Sequence, residues 1–388
     1  MTPAARVQAA IELLDAIIHA ATGQGAAADT VIARYFATRR YAGSKDRRAV
    51  RELVYAAIRA LGEVPVSGRA AMLAVTGADV ALFNGAPHCP AVVNPTEPVA
   101  TPGVAPQWLV DRLAADGVSR EALAALVERA PLDVRVNRLK SSAGEVALAL
   151  AGAVRIPGLA DGLRLPTGAN LAGLDGRIEV QDAGSQVVAL AAQAAPGQRI
   201  VDLCAGAGGK ALAMAAVMGD TGEILACDVD RARLQKLPPR AALAGAANVR
   251  TRLLDPGREL EALADWAEVA DCVFIDAPCS GTGTWRRNPE ARWRLTPAML
   301  DRLEQTQARL LNIGAALVRP GGALVFVVCS LLDVEGAGQV ARFLGENPGW
   351  QAAPLALPAG KTRGPGVRLT PYEDSTDGFF VARLVRPC

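Results

Sequence analysis

The chain has 388 residues, too many for one ordinary domain and suited to two or three. Hydrophobic residues make up 51% and charged residues 21%, which supplies cores and argues against disorder. A formal net charge of +2 excludes a globally basic nucleic-acid binder, so any such partner must be held by local patches.

The N-terminal stretch 4–21 places Val7, Ile11, Leu14 and Ile18 at helical spacing, with Glu12 and Asp15 inside it. That is a helix and not a signal peptide. Further helices are expected over 27–37 and 45–61. Between Arg34 and Arg59 stand Arg34, Arg39, Arg40, Lys45, Arg47, Arg48, Arg51 and Arg59, against only Asp46 and Glu52. A patch of this density can hold a phosphate backbone, or it can be a solvated helical face. The segment 84–106 carries Asn94-Pro95, Glu97-Pro98, Thr101-Pro102 and Ala105-Pro106, so it reads as a linker or extended wrap. Helices resume near Trp108–Leu113 and Ser119–Glu128. A short strand at Val134–Asn137, a helix near 143–151 and short strands to about 180 suggest a small α+β module.

From about 196, apolar strands alternate with amphipathic helices. The strands are Ile200–Leu203, Ile224–Cys227, Val249–Leu254, Cys272–Ile275 and Leu324–Val328. This alternation predicts an α/β fold with a doubly wound sheet. The expected domains are 1–130 (helical), 131–195 (α+β module) and 196–388 (catalytic). No run of apolar residues is long enough to span a membrane. The seven cysteines form no CxxC and no paired framework, which fits a reducing cytoplasm. Only His19 and His88 are present, so neither a zinc site nor histidine acid–base catalysis is expected.

Two sets of residues carry chemistry. The first strand runs into Cys204-Ala205-Gly206-Ala207-Gly208-Gly209-Lys210 and then a helix. Glycines there let a ligand approach the backbone and bare the amides of a helix N-terminus. The second strand ends at Asp228, where a carboxylate can accept both ribose hydroxyls of an adenosine. The third and fourth strands also end in acids, Asp255 and Asp276, unlike a dinucleotide dehydrogenase. The second set follows the fourth and fifth strands: Asp276-Ala277-Pro278-Cys279-Ser280-Gly281-Thr282-Gly283 and Val328-Cys329-Ser330. Strand ends on this side of an open α/β sheet face ligand. Two thiols and an acid beside a cofactor turn suit methylation at carbon 5 of cytosine. That carbon becomes nucleophilic only after a thiolate adds to carbon 6. Asp276 is the candidate acid near ring nitrogen 3, and a base must then remove the carbon 5 proton, a part Cys279 could take. Spacing alone leaves open which cysteine attacks.

At these residues the chain resembles the Fmu/Sun/RsmB family of RNA cytosine-5 methyltransferases. Gln181-Asp182-Ala183-Gly184-Ser185-Gln186 and Asp377-Gly378-Phe379-Phe380 complete the resemblance, which runs from about Val134 to Arg386. The N-terminal helices resemble the NusB-like RNA-binding domain of the bacterial rRNA branch. The resemblance implies a class I, Rossmann-like methyltransferase sheet and S-adenosylmethionine held by Cys204–Lys210, Asp228, Asp255 and Asp276. It implies Cys329 as nucleophile and Cys279 as the group that assists release, with 16S rRNA as substrate; the protein is expected to act in the cytoplasm as a monomer. Three positions depart from the family pattern: Ala207 for proline, Val328 for threonine, and Glu335-Gly336-Ala337 for Glu-Asn-Glu. Trp285-Arg286-Arg287-Asn288-Pro289, Arg292, Trp293 and Arg294 follow the catalytic loop and could stack bases and bind phosphates of an unpaired or flipped target, or could form a structural loop with its tryptophans in the core. The competing readings are a methyltransferase for tRNA or DNA, and a non-catalytic RNA-binding or assembly factor.

Overall fold

In a computed structural model, which describes all residues except Gln24, Gly77 and Ala78, the chain divides into two compact units. One comprises Met1–Arg129 and Thr284–Pro297, the other Ala130–Gly283 and Ala298–Cys388.

The first unit is helical: α1 (Pro3–Thr22), α2 (Ala28–Ala37), α3 (Ser44–Ala60), α4 (Gly68–Thr76), α5 (Gln107–Ala115) and α6 (Arg120–Ala125). The Thr2 hydroxyl caps α1 by accepting from the Ala5 amide at 3.2 Å. Val7, Leu14 and Ile17 of α1 meet Ile32 and Phe36 of α2 and Val50, Val54 and Ile58 of α3 in one core. The helix α4, nine residues long and built mostly of small residues, escaped the sequence reading. Gly68 explains its position: a side chain there would run into the Ile11 carbonyl of α1 at 2.2 Å.

The second unit opens with a four-stranded antiparallel sheet of β1 (Leu132–Val136), β2 (Val154–Arg155), β3 (Gly162–Leu165) and β4 (Ile178–Val180), in the order β2-β3-β1-β4. The helix α7 (Ala143–Ala149) covers it, started by a Ser142–Glu145 capping box. Alternation along β1 sends Val134 and Val136 into this module's core. Asp133 then accepts from Arg164 and from the Ala183 amide, which opens α8 (Ala183–Ala189).

Nine strands form the large sheet. Those already expected are β5 (Arg199–Asp202), β6 (Glu223–Asp228), β7 (Val249–Leu253), β8 (Ala270–Asp276) and β9 (Val318–Val328). They are parallel in the order β7-β6-β5-β8-β9. The chain then adds β10 (Gln351–Ala353), β11 (Lys361–Arg363), β12 (Gly366–Leu369) and β13 (Phe379–Val385), all antiparallel, with β13 paired to β9. The sheet is therefore mixed and doubly wound. Ile200, Val325 and Val327 face one layer, with α8 and α9 (Gly209–Val217). Val201, Leu324, Phe326 and Val328 face the other, with α13 (Pro297–Leu317) and α14 (Ala337–Glu346). The central strands β5, β8 and β9 are largely buried on both faces, which is why they read as apolar runs, whereas edge strand β7 is largely exposed. The remaining helices are α10 (Arg231–Leu234), α11 (Leu237–Ala244), whose Leu237, Ala241 and Ala244 join the first layer, α12 (Glu259–Ala262) and α15 (Pro371–Asp374). The strand order reverses direction between β5 and β8, so the crevice for ligand opens at their carboxyl ends.

One expectation is corrected. Residues 284–297, assigned from sequence to the catalytic domain as an RNA-contacting stretch, group with the helical unit. Trp285 and Arg292 are fully buried. The Arg292 guanidinium donates to the carbonyls of Ile58 at 2.5 Å and Leu61 at 2.8 Å, and Trp293 Nε1 donates to Leu61 at 3.2 Å. Arg294 donates to the carbonyls of Gly25 and Ala26, and Glu290 accepts from the Ala28 amide at 3.0 Å. These side chains satisfy the open backbone groups at the ends of α2 and α3, so Arg292 and Trp293 hold no phosphate and stack no base.

Candidate active site

The turn after β5 is shaped by two left-handed glycines, Gly206 (φ +56°) and Gly208 (φ +85°). At φ +85° Gly208 holds a conformation that strains any larger residue, and a side chain there would also displace the end of Leu237. The helix α9 starts at Gly209 and points its free amides into the crevice. Asp228, buried at the end of β6, braces the turn. Its Oδ2 accepts from the Gly206 amide and its Oδ1 from the Asp230 amide, both at 2.7 Å. Each oxygen keeps a lone pair for a further donor.

Asp202, the last residue of β5, went unnoticed as a site residue because the sequence reading carried that strand through to Leu203. It is 1% exposed, and neither carboxylate oxygen finds a side-chain hydrogen-bond partner. Burial pushes its carboxyl up to about 7, helped by Asp276, opposed by Lys210 and helped again by Asp228. A buried carboxyl that meets no side-chain donor, only the Cys204 amide, beside a glycine-lined crevice fits a ligand that brings positive charge. S-adenosylmethionine, with its sulfonium, its amino group and its ribose hydroxyls, suits Asp202, the α9 amides and Asp228.

Lys210 was expected among the cofactor contacts. Its Nζ instead donates to Asp276 Oδ2 at 2.6 Å and sits over the Phe379 ring at 5.7 Å. Burial opposes the lysine charge, but Asp276 and Cys329 outweigh it and hold Lys210 above the ordinary lysine range. Asp255 is exposed beyond the end of β7 and shares no hydrogen bond with the other site residues. Cys204 lies partly buried in the turn, where burial drives its thiol well above the usual range.

The two cysteines meet. Cys279, in the loop after β8, and Cys329, at the end of β9, place their sulfurs 3.4 Å apart, both partly accessible. The hydrogen bond to Cys329 pushes the Cys279 thiol well above its ordinary value, with burial and the Glu335 carboxylate adding to it. Two further motifs hold this arrangement. Gly378 donates its amide to the Gly283 carbonyl at 2.8 Å, and a side chain at Gly283 would meet Gly378 at 2.1 Å. The Asp377 amide donates to Asp182, which also caps α8 through the amides of Gly184 and Ser185. The glycines of both motifs are thus close-approach positions that bind the last strand to the catalytic loop. Among the described residues no group of His, Cys, Asp and Glu could hold a metal ion, and no helix is long and apolar enough to cross a membrane.

Comparison with known proteins identifies relatives of this chain. A family model described as 16S rRNA methyltransferase RsmB/F matches residues 188–385, which takes in every strand of the nine-stranded sheet. A probable ribosomal RNA small subunit methyltransferase B of Synechocystis sp. is 37% identical over 299 residues, covering 72% of this chain and 66% of that protein. The ribosomal RNA small subunit methyltransferase B of Xanthomonas campestris pv. campestris is 37% identical over 292 residues, with the same coverage. The match thus spans just under two thirds of the length of these relatives. A crystal structure of a methyltransferase homologue from Pyrococcus horikoshii superposes with a TM-score of 0.60 at 25% identity, covering 72% of this chain and 99% of that one. The chain belongs to the 16S rRNA methyltransferase RsmB/F family.

Proposed function

We propose that this protein methylates carbon 5 of a cytosine in RNA, with 16S rRNA as the substrate. The observation that carries this reading is the pair of sulfurs 3.4 Å apart at neighbouring strand ends, next to the Lys210–Asp276 ion pair. S-adenosylmethionine supplies an electrophilic methyl group when bound. Cys329 adds to carbon 6, which makes carbon 5 nucleophilic. The Asp276–Lys210 pair offers a proton toward ring nitrogen 3 as charge develops there. The chief cause of the raised Cys279 thiol is its bond to Cys329, and that cause vanishes once Cys329 is bonded to carbon 6. Cys279, partly accessible, can then pass its proton to solvent water. Its thiolate takes the carbon 5 proton, Cys329 leaves as a thiolate, and ring nitrogen 3 returns its proton to the Asp276–Lys210 pair. Transfer of a labelled methyl group to 16S rRNA, tRNA and DNA tests the substrate. Label in tRNA or DNA but not in 16S rRNA would redirect the reading, and none in any of the three would reject it.

Asp228→Ala should weaken S-adenosylmethionine binding by about 2–3 kcal/mol, roughly 30- to 150-fold, by removing a charged acceptor and the brace on the turn. Calorimetric titration measures this, and unchanged affinity would remove Asp228 from the site.

The RNA grip is narrower than the basic count suggests. Arg39 lies over the Tyr35 ring at 3.6 Å and pairs with Glu12, Arg47 donates to the Ala42 carbonyl, and Arg51 pairs with Asp29 at 2.5 Å. Arg34, Arg40, Lys45 and Arg48 are exposed and make no ion pair among the described residues. Changing these four to glutamine should reduce the salt dependence of RNA binding by up to about 3 log units per log unit of salt, with cofactor affinity unchanged. An unaltered slope would mark the patch as an ordinary solvated face.

A further inference from the structure

Beneath the two cysteine loops lies a buried polar network that the mechanism above does not use. At its centre is Glu335, 0% exposed. Its Oε1 accepts from the Ser280 amide at 2.8 Å and from Gln307 Nε2 at 3.0 Å, and its Oε2 accepts from the Ser280 hydroxyl. Gln307 Nε2 also donates to the Pro278 carbonyl at 2.9 Å, so the chain is held on both sides of Cys279. The Ser280 hydroxyl lies 3.1 Å from that of Ser330, the residue after Cys329, and Ser330 lies 3.1 Å from the Thr282 hydroxyl. The Leu331 and Leu332 amides close the network onto Thr282 and Ser330.

Geometry alone does not require a carboxylate here. A glutamine could accept from the Ser280 amide and Gln307 and donate to the Ser280 hydroxyl, without the cost of burying a charge. The charge therefore has another use. Two sulfurs 3.4 Å apart cannot both be thiolates, since like charges at that distance repel strongly. One must keep its proton and donate it to the other. The surrounding charges are unequal. Glu335, from the turn after β9, is bonded to the amide of Ser280, the residue after Cys279, while the positive charge nearer Cys329 is Lys210, from α9 and paired with Asp276 of β8.

We propose that Glu335 is a positioning residue of the cysteine pair: its negative charge keeps the proton on Cys279 and so reserves the thiolate for Cys329. The bonds it makes to Ser280 and Gln307 deliver that charge to the right sulfur. This deepens the proposed function, and it resolves from charge placement a choice that spacing left open. The elevated Cys279 thiol agrees in direction.

The test needs neither RNA nor cofactor. The free enzyme is alkylated with limiting iodoacetamide across a pH series, and the labelled peptides are mapped by mass spectrometry. In the unmodified protein Cys329 should react at lower pH than Cys279. In Glu335→Gln the Cys279 rate at neutral pH should rise at least tenfold, the change in thiolate that accompanies one pKa unit. Ser280→Ala, which removes the hydroxyl link but keeps the charge, should leave Cys279 slow. Earlier reaction of Cys279 in the unmodified protein overturns the proposal without any variant. So does an unchanged Cys279 rate in a folded Glu335→Gln, or a release by Ser280→Ala as large as that by Glu335→Gln. Failure of methyl transfer to RNA with the alkylation order intact would reject the proposed function and leave this inference standing.

Discussion

Cys329→Ala is expected to bring methyl transfer down to background and to form no covalent RNA adduct, whereas Cys279→Ala should trap one. The sulfurs sit 3.4 Å apart, so either could reach a base placed in the crevice. They differ in charge surroundings, with Lys210 near Cys329 and Glu335 near Cys279. If Cys329 attacks, its loss removes the only route to a nucleophilic carbon 5. If Cys279 serves after attack, its loss lets addition and methyl transfer proceed, and elimination then stalls for want of a base. A denaturant-resistant protein–RNA band should appear for Cys279→Ala and be absent from the double variant. An adduct in Cys329→Ala instead would exchange the two roles. Full activity in both variants would end the covalent mechanism.

Asp202→Asn should have opposite effects on stability and on binding. The Asp202 carboxyl is held up to about 7 in the folded protein, against roughly 3.9 in an unfolded chain. Between those values the folded state binds more protons than the unfolded state, so stability falls as pH rises from about 4 to about 7. Each unit of displacement is about 1.4 kcal/mol. Asparagine removes that loss, so the variant should melt higher than the unmodified protein at pH 8 and approach it at pH 4. Binding should move the other way. A cationic ligand favours ionised Asp202, so the unmodified protein should lose up to about tenfold in S-adenosylmethionine affinity per unit of pH below about 7. In Asp202→Asn that affinity should be weaker at pH 8 and nearly flat with pH. Paired melting over pH 4–8 and calorimetric titrations over pH 5–8 decide this. Parallel pH dependence in both proteins would remove Asp202 from the cofactor site.

How much could be read from the chain itself follows from where each signal resides. Strand and helix alternation after residue 196, the glycine turn and the acid ending the second strand are local features. Each depends on neighbours a few residues apart, so periodicity and turn chemistry disclose them. Cys279 and Cys329 were recognisable as ligand-facing because strand ends on one side of a doubly wound sheet share a face. The antiparallel additions β10–β13 were not apparent, since they are short and depend on β9 for a partner. The stretch Trp285–Arg294 misled for a related reason. Arginine and tryptophan look alike in sequence whether they meet RNA or a helix end, and only the fold presents Arg292 with the carbonyls of Ile58 and Leu61.

By itself, the sequence determined the fold class, the family and the two thiols of the site, because these depend on residue type and spacing. Tertiary structure alone decided which charges lie beside which sulfur. Glu335 approaches Cys279, and Lys210 is shared between Asp276 and the neighbourhood of Cys329, across separations of dozens of residues. Coulomb energies depend on distance in space and on burial, and neither can be read along the chain.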